Sequence, residues 1–239
     1  MRLGIMSSMF VGIALLACNP ITGNIKGSGN VVTTSMNISG FNKIDAGHTF
    51  QVTITQSEDY SVVIYSDDNL VEHLDVRLDG DTLIINLANR KSAWNATLEA
   101  EVSLPELTAV GFHGASRGNL QGIASDNDFT ASVSGASRLE GDLQAGQMEV
   151  RLSGASHVDP DGSGSALDPH VSGASTADLE DFSVDSAQVD LSGASTAILD
   201  VKDDIGPVNL SGASRLIYSG DPAFRNFKTS GASSINARE

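Results

Sequence analysis

The sequence predicts an all-β protein whose larger part is a parallel β-helix, and three observations support this fold class. A Gly-Ala-Ser triplet recurs along the chain at intervals of 21, 19, 19, 20, 19 and 19 residues. The residues around each triplet alternate between apolar and polar types, which is the period of a strand. The composition includes 24 glycines and only 5% aromatic residues. Together these features favour a solenoid of short strands joined by tight corners.

The triplets predict seven coils of 19 to 21 residues. The predicted corner residues are Gly114, Gly135, Gly154, Gly173, Gly193, Gly212 and Gly231. Identical positions of successive coils stack about 4.8 Å apart in a parallel β-helix. We therefore predict that each glycine turns the chain, that the alanine fills a narrow interior column, and that the serines form hydrogen bonds along the stack.

Residues 31–107 carry strand patterns with less regular spacing, as in "TFQVTITQ" and "TLEAEVSL". The pair Asp79-Gly80 is a favoured two-residue turn, so Leu74 to Leu78 and Thr82 to Leu87 are predicted to form a hairpin. This region is expected to supply the first coils or a cap, in one continuous domain with the repeats at 108–239.

The N-terminus has the layout of an export signal. Residues 1–17 combine Arg2 with a short apolar stretch, and "LLAC" ends in Cys18, the only cysteine of the chain. This pattern predicts a lipoprotein signal peptide at 1–17 and a lipidated Cys18. Residues 18–30 then form a Gly- and Asn-rich tether. We expect a bacterial envelope protein held to a membrane, the outer one, by its acylated cysteine.

The formal net charge of −16 and the pI near 4.5 argue against nucleic acid as a partner, because phosphate binding requires clustered Lys and Arg. A single cysteine excludes an intramolecular disulfide and a Cys-rich metal site. No cofactor is expected. The oligomeric state cannot be read from the sequence.

Three segments together resemble one family. They are the "ISGFNKIDAGHTFQVTITQ" segment, the "SLPELTAV" segment and the serial "SGAS" units. In this order they are similar to the bacterial putative auto-transporter adhesin head GIN domain family, from about residue 30 to the end. The resemblance implies a right-handed parallel β-helix exposed to the periplasm or the cell exterior. It carries over no catalytic residue, and a fold does not fix a function.

The residues that vary between the copies are the candidates for binding. Arg117, Arg138, His157 and Arg215 occupy one column after the triplet and could contact an extended ligand such as a glycan strand. "HVDPDGSGSALD" gathers Asp159, Asp161 and Asp168, whose oxygens could hold calcium, although the spacing matches no known calcium loop.

Two sequence features raise the question of catalysis. "GASRG" matches the nucleophile elbow around Ser116, but Ser116 is one of seven equivalent serines and lacks the strand-turn-helix context. The acidic group from Asp178 to Asp204 resembles the carboxylate clusters of polysaccharide-active β-helix enzymes, with no basic residue expected to pair with it. The five histidines are scattered and are expected to be solvated.

The preferred hypothesis is a lipid-anchored, non-enzymatic envelope protein whose β-helix binds an unknown protein or glycan. One alternative is a polysaccharide-active enzyme that uses the acids between Asp178 and Asp204. Another is a structural spacer or an envelope-stress module. The sequence does not separate the last possibility from the first.

Overall fold

The structure is a computed structural model that describes residues 23–88 and 91–238. The predicted leader and Cys18 lie outside the described residues. Strand accounts for 64% of the structure and helix for 3%. The elements in chain order are β1 (Asn24–Lys26), β2 (Val31–Met36), β3 (Lys43–Ala46), β4 (Gln51–Gln56), β5 (Ser61–Asp67), the 3₁₀ helix η1 (Asp68–His73), β6 (Leu74–Asp79), β7 (Thr82–Leu87), β8 (Ser92–Trp94), β9 (Leu98–Leu104), β10 (Ala109–Phe112), β11 (Arg117–Ala124), β12 (Phe129–Val133), β13 (Arg138–Gln144), β14 (Gln147–Leu152), β15 (His157–Val171), β16 (Thr176–Leu191), β17 (Thr196–Leu210), β18 (Arg215–Ser219), β19 (Ala223–Phe224), β20 (Phe227–Thr229) and β21 (Ser234–Ala237).

The corners divide the solenoid into two faces. Strands that precede a corner form face A, in the order β6, β7, β3, β10, β12, β14, then the second halves of β15, β16 and β17, then β20. Strands that follow a corner form face B, in the order β2, β5, β9, β4, β11, β13, then the first halves of β15, β16 and β17, then β18 and β21. Face A spans about 38 Å from β7 to β20, since each parallel step adds about 4.8 Å.

The Gly-Ala-Ser part is a parallel β-solenoid of about six turns, so the predicted fold class is confirmed. The predicted number of seven coils is slightly too high, because seven corners enclose only six complete repeats. The apolar residue before each corner points into the core. Its exposure is 0 to 2% at Val133, Leu152, Val171, Leu191 and Leu210.

Residues 31–107 contribute both coils and a cap. β7 and β3 continue face A in parallel, and β9 and β4 continue face B in parallel. Beyond them β6, β5 and β2 pair antiparallel and cover this end, and the fully buried Leu70 of η1 packs against the core. The predicted hairpin is confirmed, with β6 antiparallel to β7 and Gly80 at φ +62°.

The triplet glycines stack directly on one another at the corners. Their φ angles lie between +72° and +80°, in the left-handed region. A Cβ at Gly173 would lie 2.5 Å from the carbonyl oxygen of Gly154 in the preceding coil. That oxygen accepts a hydrogen bond of 2.8 Å from the amide of Ala174. The corner therefore requires glycine for two reasons: its left-handed backbone angle, and the close approach of the neighbouring coil, which leaves no room for a Cβ.

The predicted orientation of the alanine is wrong. The triplet alanines, such as Ala155 and Ala194, are exposed, whereas the serine that follows is buried in six of the seven copies, with 0 to 2% exposure. The interior side of the corner is narrow and lined by backbone carbonyls. Ser156 Oγ lies 3.0 Å from Val133 O and 2.7 Å from Ser153 O, so its one hydroxyl hydrogen has two carbonyl acceptors within reach. A hydroxyl satisfies such buried acceptors and a methyl group cannot, so serine faces inward.

We predict that Gly173→Ala lowers the free energy of unfolding by about 3 kcal/mol, the sum of left-handed strain and steric overlap. Gly40→Ala is the matched control. Gly40 has φ +82°, but a Cβ added there would have no atom within 4 Å, so only the strain of about 1 kcal/mol applies. Urea unfolding followed by circular dichroism measures both. Equal losses in the two variants would contradict a stacking role for Gly173.

Candidate ligand-binding groove

A groove of about 450 Å³ runs along the outer side of face A. One wall is a single column of residues on five adjacent strands, from Asp45 through Gly111, Ser132 and Arg151 to His170. Gly111 and Ser132 are the smallest members of this column, so the sheet surface is depressed between the charged side chains at the two ends. Four steps of about 4.8 Å make the column about 19 Å long.

The other wall is the column that stands immediately before the corner glycines. It contains His113, Ser134, Ser153 and Ser172. Ser172 Oγ donates a hydrogen bond to Leu152 O at 3.1 Å, which holds this hydroxyl against the backbone of the preceding coil. The groove is therefore lined by short hydroxyl side chains in its centre and by ionisable groups at its ends.

Two glycines create one end of the groove. His113 Nε2 lies 3.2 Å from Asp45 Oδ1. The His113 ring occupies the space where a Cβ of Gly47 would stand, and the Asp45 carboxylate occupies the space where a Cβ of Gly111 would stand. Any side chain at Gly47 or Gly111 would displace this pair. The pair remains accessible, with side-chain exposures of 43% for His113 and 36% for Asp45.

The other end of the groove gathers four ionisable side chains on two paired strands. Glu149 of β14 lies opposite Asp168 of β15, and Arg151 lies opposite His170. Like charges directly opposite on adjacent strands destabilise a sheet. Here the Arg151 guanidinium contacts Glu149 and offsets the repulsion, and His170 Nε2 lies 3.3 Å from Asp168 Oδ1.

Glu149, Asp168 and His170 are residue types that bind metal ions, and their ligand atoms lie within 4.8 Å of one another. Arg151 already supplies a positive charge to this group. The arrangement is therefore a cluster of hydrogen-bond donors and acceptors at the end of the groove, with its two carboxylates partly offset by Arg151.

The column predicted as a ligand surface lies on face B, on the other side of the corners. Arg138 Nε is 2.9 Å from Glu140 Oε2, and its guanidinium also reaches Asp159 in the next coil at 3.2 Å. His157 Nε2 lies 3.6 Å from the same Asp159 carboxylate. Arg138 is thus tied by an ion pair to the next coil, and His157 contacts the same aspartate from within its own strand.

The other two members of the column are Arg117 and Arg215. Arg117 lies beside Arg138 in register and is exposed. Arg215 lines a shallow depression at the last coil together with Arg238. The four predicted residues do share one column: Arg117, Arg138 and His157 are in register on adjacent strands, and Arg215 lies three strands further along.

The three aspartates considered for calcium do not form one cluster among the described residues. Asp159 and Asp161 pair in register with β13 on face B, whereas Asp168 pairs with Glu149 on face A. The chain passes around the second corner of the coil between Asp161 and Asp168. Their closeness in sequence therefore does not become closeness in space.

The expectation that no basic residue pairs with the acids from Asp178 to Asp204 is wrong. Lys202 Nζ lies 3.2 Å from Asp185, and Arg225 Nε lies 2.7 Å from Asp204. Arg238 contacts Glu180. Each cation comes from another coil or strand, which the local sequence could not reveal.

Sequence reasoning missed the groove because its residues come from distant segments. Aligning the copies on their glycines does place Gly111, Ser132, Arg151 and His170 in one column. The missing element was Asp45, which lies outside the repeats and joins the column only because β3 continues the stack. Among the described residues, no helix is long and apolar enough to cross a membrane.

The stack of parallel strands and its open groove define the protein as a β-solenoid with a grooved outer face. Residues 40–222 match the family described as "Putative auto-transporter adhesin, head GIN domain", so the chain belongs to this family, as the sequence resemblance predicted. A comparison with curated proteins found no match.

Solved structures share the fold. A putative adhesin from Bacteroides fragilis NCTC 9343 is 20% identical with a TM-score of 0.83, and the match covers 90% of this chain and 100% of that one. A putative lipid binding protein and a putative adhesin, both from Parabacteroides distasonis ATCC 8503, are 18% and 17% identical with TM-scores of 0.70 and 0.65. Each covers 90% of this chain and 100% of its own. At these identities the likeness concerns the fold alone.

Proposed function

We propose that the protein is a lipid-anchored, non-enzymatic envelope protein whose groove on face A binds an extended, hydroxyl-rich polymer such as a glycan strand. The groove itself is the observation that carries this proposal. It follows one face across five strands, and its volume of about 450 Å³ lies within the usual range for small-ligand sites. Its length suits a few units of a linear polymer more than one compact metabolite.

The chemistry of the groove suits hydroxyl groups. Carboxylates accept hydrogen bonds, a guanidinium donates them, and imidazole can do either. Asp45, His113, Arg151 and His170 each contact an ionisable neighbour. A polymer bound between them would meet side chains whose conformations are already restricted, which lowers the entropic cost of binding.

Binding is favoured over catalysis for two reasons. The family is adhesin-like, which points to attachment at the envelope or cell surface. The best enzymatic candidate, the acidic group from Asp178 to Asp204, contains Asp185 and Asp204 in contact with Lys202 and Arg225. A glycosidase needs one carboxyl group kept protonated as a general acid, and a neighbouring cation works against this.

The lipid anchor is supported by the sequence of the leader and its cysteine. An apolar stretch followed directly by Cys18 is the pattern of an exported and acylated protein. Each buried acyl methylene contributes about 0.8 kcal/mol to membrane attachment. The outer membrane is the proposed destination.

We predict that Cys18→Ala moves the protein from the membrane fraction to the soluble fraction, because the acyl chains supply the attachment. Vesicle flotation after expression in a bacterial host measures this directly. The Phe227→Ala variant, altered at an exposed position far from Cys18 in the chain, serves as the control and should float like the unchanged protein. Flotation of the Cys18→Ala protein at the unchanged level would refute the anchor.

We predict that Ser134→Trp reduces binding of envelope glycans at least tenfold, because an indole at this position fills the centre of the groove. Ser211→Trp is the matched control, since Ser211 stands in the same column but does not line the groove. A glycan array, followed by calorimetry with any glycan that binds, compares both variants in the soluble Cys18→Ala chain. The proposal fails if no glycan binds or if both tryptophans weaken binding equally.

A further inference from the structure

We infer that the capped end of the solenoid rests on the bilayer surface, with Trp94 in the headgroup region as an interfacial anchor. This inference rests on the proposed lipid attachment at Cys18, but goes beyond it. An acyl anchor alone would leave the folded domain free to tumble, whereas a second contact fixes its orientation.

Exposed apolar side chains concentrate at the capped end. Among the described residues, six large hydrophobic side chains are markedly exposed, and five of them belong to residues 31–94. Trp94 is 56% exposed, Val31 48% and Val71 38%. The sixth, Phe227, is on β20 at the opposite end of face A. Exposed apolar groups that gather in one region of a soluble domain mark an interaction surface.

Trp94 sits beside the strand that leads toward the proposed anchor. In the parallel pair of β1 and β8, Lys26 lies opposite Trp94, with Lys26 Nζ 5.5 Å from the centre of the indole ring. Asn69 Nδ2 donates a hydrogen bond of 2.9 Å to Lys26 O, which brings η1 and its exposed Val71 to the same part of the molecule. Tryptophan and lysine are typical of the membrane interface, where an apolar body and a polar group are both accommodated.

A buried carboxylate makes this part of the cap rigid. Asp67 is 1% exposed and accepts hydrogen bonds from the amides of Gly29 at 2.5 Å and Thr97 at 2.7 Å. It thereby joins the segment after β1 to the segment after β8. Trp94 is therefore presented on a fixed support.

The chain length keeps Trp94 close to the bilayer. Six peptide steps separate Cys18 from Asn24, the first residue of β1. Even fully extended they span at most about 20 Å. Lys26, which lies opposite Trp94, is eight peptide steps from Cys18 and so at most about 29 Å from it, which keeps the indole within reach of the headgroups.

The charges at this end favour a zwitterionic phospholipid surface over an anionic one. Lys26 and Lys91 flank Trp94, and Asp68 and Glu72 belong to η1. Hydrogen bonds from Ser28 and then Asn30 lower the pKa of Asp68, so its carboxyl group is ionised at neutral pH. With the buried Asp67, three acidic side chains accompany these two lysines, which gives no net attraction to anionic lipids. Burial of the indole and its apolar neighbours would supply the contact.

Trp94 is the only tryptophan of the chain, so its fluorescence reports on this contact alone. The acylated full-length protein is reconstituted in phosphatidylcholine vesicles with and without lipids brominated near the headgroup. We expect a blue shift of Trp94 emission of about 10 nm relative to the soluble Cys18→Ala protein. We also expect at least twofold quenching by the brominated lipids, as an indole in the interface requires.

The matched control moves the single tryptophan to the other end of the molecule. In the double variant Trp94→Phe, Phe227→Trp, the indole stands about 38 Å from the capped end along the strand stack, and brominated lipids should leave it unquenched. Flotation of each sample is measured in parallel. A floating protein whose Trp94 is unshifted and unquenched overturns the interfacial contact alone. A protein that fails to float overturns the lipid anchor and the orientation with it. Equal quenching at both positions also overturns the proposed orientation.

Discussion

The hydrogen bond from a triplet alanine to the glycine of the preceding coil, made by every copy after the first, is the interaction on which the solenoid depends. From Ala136 to Ala232 these bonds measure 2.7 to 2.8 Å and follow one line along the corner. Successive coils approach this closely because the triplet glycines have no side chain. The carbonyl oxygen of one glycine occupies the space that a Cβ on the glycine of the next coil would need. This line of hydrogen bonds fixes the register between coils. Because a change of register would move every residue of a strand together, it also sets the position of every other column, apolar or polar.

The corner also explains why the chain repeats such small residues. Glycine supplies the left-handed turn, alanine lies on the outside, and serine satisfies the carbonyls that converge inside. Ser116 and Ser137 show this interior role, with their hydroxyl groups 3.2 Å apart in adjacent coils. None of these structural roles requires a reactive serine hydroxyl. The outer columns are left free to vary, and on face A that freedom produces a groove between Asp45 and His170.

Local pattern predicted the fold well and the site poorly, and the reason is physical. The period of the triplet fixed the corners, and the Asp79-Gly80 turn correctly identified a hairpin. The inward alanine was wrong because alanine and serine are both small, and only the converging carbonyls decide between them. The Asp45–His113 pair depends on space left by Gly47 and Gly111, and it joins residues that are 68 positions apart. Residues so far apart in sequence come into contact because their strands pair in register, which the local sequence pattern does not show.

The central claim, that the stacked corner amides hold the solenoid together, is tested most directly by native-state hydrogen exchange. The amides of Ala136, Ala155, Ala174, Ala194 and Ala213 lie at exposed residues in turns, where amides ordinarily exchange through local opening. If these bonds are central to the fold, the five amides exchange only through global unfolding, with the same free energy as the core strands. Exchange at the rate of the loop around Asp126 would contradict the account.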